Sequence, residues 1–154
     1  MKQSYQEEIK QFAIYHKNVE QTYLTLGLFA EVGEVVGVIA KSYRDGTNPR
    51  DKLILEIGDC FWFIAMIHTV HNEPFDDSDT LCTDHDFSDR EILSDLDGLP
   101  YQTDSFDAAK DTAEVLRLLM ILYDITMTEV LQANLDKLYG RQARGTIKGS
   151  GDNR

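Results

Sequence analysis

The sequence predicts an all-α fold, a bundle of about five helices, on three observations. Apolar residues recur at three- and four-residue intervals in five separate stretches. Stop and start signals fall between those stretches, above all Arg44-Asp45-Gly46 followed by Thr47-Asn48-Pro49. At 154 residues and 42% apolar content the chain is long enough to bury one core as a single domain over residues 1–154.

The first helix is expected from about Ser4 to Lys17, where Tyr5, Ile9, Phe12, Ala13 and His16 share helical spacing. A longer helix follows from about Gln21 to Tyr43, closed by a base in its last turn and by Gly46 beyond. Asn48 as cap and Pro49 at the first helical position then open a third helix, about Pro49 to His71. Asn72 to Ser105 is rich in Asp, Ser and Thr, punctuated by Pro74, Gly98 and Pro100. Together with a fourth helix, Phe106 to about Tyr123, it reads as an acidic loop plus helix inserted over 72–123. After the turn Asp124-Ile125-Thr126 a last helix spans about Met127 to Arg141. The glycine-containing tail beyond it has little core material and is expected to be flexible.

The second and third helices carry the sequence's most informative feature. Glu31-Val32-Gly33-Glu34 and Glu56-Ile57-Gly58-Asp59 each place two acids one turn apart on one helix face. Glu31 falls inside the apolar arc of Leu24, Leu28, Val32, Val35 and Ile39, with Glu34 at its border; Glu56 falls near the centre of the arc of Leu53, Ile57, Cys60 and Ile64, with Asp59 at its edge. An ionised carboxylate in such a setting takes up a proton, pairs with a base or binds a cation. Between Leu24 and Val70 the only Lys and Arg residues are Lys41, Arg44, Arg50 and Lys52, all around the turn that joins the helices. A divalent cation held by Glu31, Glu34, Glu56 and Asp59 is therefore the simpler compensation.

The formal charge of −12 argues against nonspecific binding to a nucleic acid polymer. Its distribution is uneven: Glu73 to Asp107 holds 12 acids against Arg90 alone, which leaves the rest of the chain near neutral. Asn134 to Arg154 carries five bases against two acids, a tail suited to phosphate. The longest purely apolar run, Cys60 to Ile67, is too short to span a bilayer, so no membrane helix is expected. The polar start Met-Lys-Gln-Ser has no apolar signal core, and the two cysteines, Cys60 and Cys82, suit a reducing compartment without a disulfide; a cytoplasmic location is expected.

With E-x-x-E on one helix, E-x-x-D on the next and Asn134-Leu135-Asp136-Lys137 near the end, the chain resembles a MazG-like nucleotide pyrophosphohydrolase of the all-α NTP pyrophosphatase superfamily. The likeness covers about Tyr23 to Val70 and Asp124 to Arg154 and is carried by the order of the three motifs, each weak alone. Where that family often has two adjacent glutamates at the start of the first motif, this chain has Ala30 before Glu31. The resemblance implies Mg²⁺-dependent cleavage of a nucleoside triphosphate, a dNTP or modified NTP, between its α and β phosphates, with Mn²⁺ as a substitute ion. The residue chemistry agrees, since Mg²⁺ prefers oxygen ligands and bridges carboxylates to phosphates and water.

Within that picture Glu34, at the edge of its arc, is the candidate general base, and Asn134, Lys137 and Arg141, with Arg144, Lys148 or Lys41 assisting, are candidates for substrate contact. The bland readings are bases that favour a helix terminus and a surface asparagine. Trp62 and Tyr15 suit either a nucleobase or the core, and Gly27, Gly33 and Gly37 suit close helix approach. His68 is read as packed and His71 as a surface residue, while Cys82 with Asp84, His85 and Asp86, and Asp95 to Gly98, are read as solvated loop. Two long helices with apolar and small faces imply a homodimer or homotetramer. The alternatives are a dUTPase-like or phosphoribosyl-ATP pyrophosphohydrolase specificity, or a non-catalytic module that binds nucleotide or metal.

Overall fold

A computed structural model describes residues 4–78 and 105–147. The acidic stretch 79–104, with Cys82, His85 and the Asp95–Gly98 string, and the tail from Lys148 onward lie outside the described residues. Among those described, the fold is all-α with no strand: α1 Tyr5–Ile9, α2 Glu20–Asp45, α3 Arg50–Val70, α4 Ser105–Leu122 and α5 Met127–Ala143.

The centre of the bundle is α3, which packs against each of the other four helices. Every residue from Cys60 to Ile67 is buried, as expected of a helix apolar on all sides. The longest helix, α2, runs antiparallel to it, placing Gly27 beside Phe63 and Glu31 beside Asp59. Gly46, in the left-handed region at φ 65°, ends α2 and returns its amide to the Ser42 carbonyl. Asn48 captures the Arg50 amide at 3.0 Å and opens α3. The start of α5 is a capping box between Thr126 and Glu129. Arg50 reaches both the Asp124 carbonyl at 2.7 Å and Glu129 at 2.7 Å, so α3 and α5 begin side by side and run in the same direction.

Several boundaries differ from the sequence reading. The first helix is much shorter than Ser4 to Lys17: after Ile9 it tightens to a 3₁₀ turn at Lys10–Phe12 and then breaks, leaving His16 exposed. The buried spacing of Tyr5, Ile9 and Phe12 is met in full before the chain turns toward α2, so nothing beyond Phe12 demands a helix. Of the three glycines read as sites of close approach, only Gly27 is one. A Cβ there would lie 2.1 Å from the Phe63 ring, whereas Gly33 and Gly37 face open space. His71 is not a free surface residue either, since its ring stacks on Phe106 at 4.7 Å. Lys17–Asp45 and Arg50–Val70 each contain an 18-residue stretch apolar enough, by length and composition alone, to cross a membrane. The same composition arises in a core helix, and α3 is one.

The helix read as part of an insertion contributes to the core: Ala109, Val115, Leu116, Leu119 and Met120 of α4 are buried in it. Near the middle of α4, Arg117 is only 8% exposed, and its guanidinium donates to the Asp76 and Ser78 carbonyls, the latter at 2.7 Å, with the Asp76 carboxylate 3.6 Å away. One buried cation thus straps the chain where it leaves α3 for the acidic stretch. Arg117→Ala removes the charge-assisted hydrogen bonds to those carbonyls and is expected to cost about 2–3 kcal/mol. Hydrogen exchange at residues 75–78 checks this: the variant should lose protection there while α3 keeps its own.

Candidate functional site

Three carboxylates meet where α2 crosses α3. Donor oxygens of Glu31, Glu56 and Asp59 lie within 4.8 Å of one another, and all three residues are half-buried. The helical spacing sets this up: Glu56 and Asp59 are one turn apart on α3, and the antiparallel α2 presents Glu31 to both. Glu34, the fourth acid of the sequence reading, lies outside this triad and is exposed on the next turn, although its charge is felt at Glu31. The structure therefore gathers three of the four predicted acids.

The electrostatic cost falls on Glu31. Its carboxyl is pushed up to about 7, first by burial and then by the negative charge of Asp59, with further repulsion from Glu56 and Glu34 and relief from Lys137. Relief by Lys137 corrects the expectation that a cation, with bases scarce nearby in sequence, is the simpler compensation. Counting only neighbours in sequence overlooked the last helix, whose Lys137 ammonium sits on Asp59 Oδ2, 78 residues away in the chain. Arg44, by contrast, is spent on Asp45 at 2.6 Å.

Asn134 is the second group that α5 brings. It is 2% exposed, so it is no surface residue, and its Nδ2 donates to Asp59 Oδ1 at 3.0 Å. Its own Oδ1 accepts from the Tyr5 hydroxyl at 2.8 Å, a partner the sequence reading missed because a tyrosine at helical spacing reads as core. Gly58 makes the approach possible: a Cβ at that position would lie 3.1 Å from Asn134 Cβ and 3.2 Å from the Val130 carbonyl oxygen.

The remaining candidates lie farther out. Arg141 is one turn beyond Lys137 on α5 and half-buried, and Arg144 is exposed beside Gly140. Lys41 is exposed on α2, about 15 Å along the axis from Glu31 at the helical rise. Trp62 is one turn beyond Asp59 on α3 and buried, edge-on to Phe63 at 4.9 Å and to Tyr15 at 6.4 Å. Among the described residues no acceptor meets the Trp62 indole N–H.

The donor set fits a hard divalent cation. Six-coordinate Mg²⁺ with oxygens at 2.0–2.1 Å places neighbouring ligands about 3 Å apart and opposite ones about 4 Å apart, within the spread of the triad. A carboxyl pushed up to about 7, first by burial and then by the charge of its neighbours, is also a group that a cation would return to its ionised form.

The chain is 27% identical over 138 residues to the Gene 37 protein of Mycobacterium phage L5, a match that covers 86% of this chain and 75% of the phage protein. That name states no activity. No family model and no solved structure matches the chain.

Proposed function

We propose that this protein is a divalent-metal-dependent nucleoside triphosphate pyrophosphohydrolase of the MazG-like kind. The reading is carried by one observation: carboxylates of Glu31, Glu56 and Asp59, drawn from two antiparallel helices, converge beside Lys137 and Asn134 of a third. Acids alone would make a cation site. Acids with an adjoining ammonium and amide make a site for a cation and a polyanion together.

The chemistry that a bound Mg²⁺, or Mn²⁺ in its place, supplies there is neutralisation of a polyphosphate and acidification of a water. Glu31, Glu56 and Asp59 hold it. Exposed Glu34, outside the triad yet on the adjoining turn, is the carboxylate left to accept the proton of the attacking water. Lys137, on a four-carbon stem, contacts phosphate oxygens from the edge of the triad, and Arg141 one turn further extends that contact. Arg144, further along α5, serves the outer phosphates; Lys41, about 15 Å along α2 on the other side of the triad, is too far to share them. The bond between the α phosphorus and its bridging oxygen breaks, water supplies the new oxygen, and the products are a nucleoside monophosphate and pyrophosphate.

Product analysis decides between this reading and its rivals. With Mg²⁺ and a panel of canonical, deoxy and modified triphosphates, the expected products are monophosphate and pyrophosphate, with activity lost in EDTA. Orthophosphate release, or inactivity across the panel, contradicts the proposal. Turnover confined to dUTP or to phosphoribosyl-ATP would assign the narrower specificity, and nucleotide binding without turnover the non-catalytic module.

We also propose that the protein works as a homodimer or a homotetramer joined through α2. A helix facing solvent carries charge on its outer side. Between its exposed charges, Glu34, Lys41 and Arg44, the outer side of α2 presents Leu26, at 63% exposure, with exposed Ala30, Gly33 and Ala40. The open space over Gly33 and Gly37 leaves room for a second helix to approach closely. Sedimentation equilibrium should give at least twice the chain mass, and Leu26→Glu should reduce it to one chain with helicity retained. A wild-type monomer at micromolar concentration would contradict this.

A further inference from the structure

Asp59 has a protein partner on each oxygen: Lys137 on Oδ2 and the Asn134 amide on Oδ1. An ionised carboxylate attracts only the N–H end of an amide, so Asn134 must turn its Oδ1 away. What receives that oxygen is the hydroxyl of Tyr5, at 2.8 Å from the first turn of α1. Tyr5 is 5% exposed, and its ring packs near Phe75 at 6.0 Å. At the amino end of α1, Ser4 accepts the Glu7 amide, and that cap sets where the tyrosine enters the bundle. Tyr5, Asn134 and Asp59 thus form a single directed chain of hydrogen bonds from α1 through α5 to α3. Each donor in it polarises the next.

We propose that Tyr5 is a positioning residue for the carboxylate triad, acting through Asn134 to hold Asp59 in the orientation that binds a divalent ion. The inference rests on the divalent-ion reading of Glu31, Glu56 and Asp59. Partners one shell out from a metal ligand typically govern 10–100-fold in affinity, and Tyr5 stands one further bond away. Each oxygen of Asp59 retains a lone pair beyond those taken by Asn134 and Lys137, so positioning and coordination are compatible.

The test compares Mn²⁺ dissociation constants, by equilibrium dialysis on the full chain, for wild type, Tyr5→Phe, Asn134→Ala and the double variant. Tyr5→Phe keeps the ring and its packing, and circular dichroism melts verify the fold. We expect Tyr5→Phe to raise the constant about tenfold and to have no further effect once Asn134 is alanine. The side-chain amide resonances of Asn134 should move in Tyr5→Phe, a signature that loss of packing alone does not produce. Equal constants for wild type and Tyr5→Phe, or effects that add in the double variant, overturn the role of Tyr5 and leave the ion site standing. A wild type without saturable Mn²⁺ binding overturns the site and this role with it.

Discussion

Glu31→Gln is expected to abolish metal-dependent hydrolysis and, at the same time, to stabilise the protein at alkaline pH. Both effects come from one carboxyl. Removing a ligand that supplies several kcal/mol of transition-state stabilisation should lower kcat/KM at least about 100-fold. The stability effect follows from the carboxyl being pushed up to about 7 in the fold against an ordinary 4.5. Between those values the folded chain holds more protons than the unfolded one, so stability falls as pH rises through that window, and the full penalty is present above it. Glutamine removes the penalty. Because the carboxyl keeps part of its solvent contact, the gain at pH 8 is discounted to about 1–2 kcal/mol, or a few degrees in Tm. Below about pH 4.5, where Glu31 is protonated folded or unfolded, the gain should vanish. Thermal melts at pH 8 and pH 4 check the sign. Millimolar Mg²⁺ should raise the wild-type Tm at pH 8 and leave Glu31→Gln where it is.

Gly58→Val is expected to have the larger structural effect. The α3–α5 seam closes on the bare backbone of Gly58: a single added carbon already lies 3.1 Å from Asn134 Cβ and 3.2 Å from a backbone oxygen of α5, which cannot rotate away. Valine adds two methyls to that space. Forcing the helices apart should cost about 2–3 kcal/mol and lower Tm by roughly 5–10 °C. It should also lift Asn134 and Lys137 from Asp59, so metal affinity falls although no ligand has been changed. Gly33→Val, on the open outer face of α2, is the control and should leave the isolated fold intact.

These two residues mark how far the site was legible in the sequence. Glu31, Glu56 and Asp59 were readable because an acid inside an apolar arc violates helical patterning, and the violation shows without coordinates. The closure of the site was not. Lys137 on Asp59 and Asn134 between Asp59 and Tyr5 are pairings across 78, 75 and 129 residues, and helix periodicity carries no information about which helix lies beside which. Gly58 was hidden for the same reason, since the close neighbour that forbids a side chain belongs to α5. The fold itself followed more directly. The caps at Gly46 and Asn48 are chemistry of neighbouring residues and placed the α2–α3 turn well, whereas the early end of α1 is set by where Phe12 meets the core.

Mn²⁺ binding followed by electron paramagnetic resonance shows whether Glu31, Glu56 and Asp59 form a divalent-ion site. Saturable binding is expected for the wild-type chain, lost in Glu56→Gln with the melt of the apoprotein preserved. Equal Mn²⁺ binding by wild type and Glu56→Gln would contradict it.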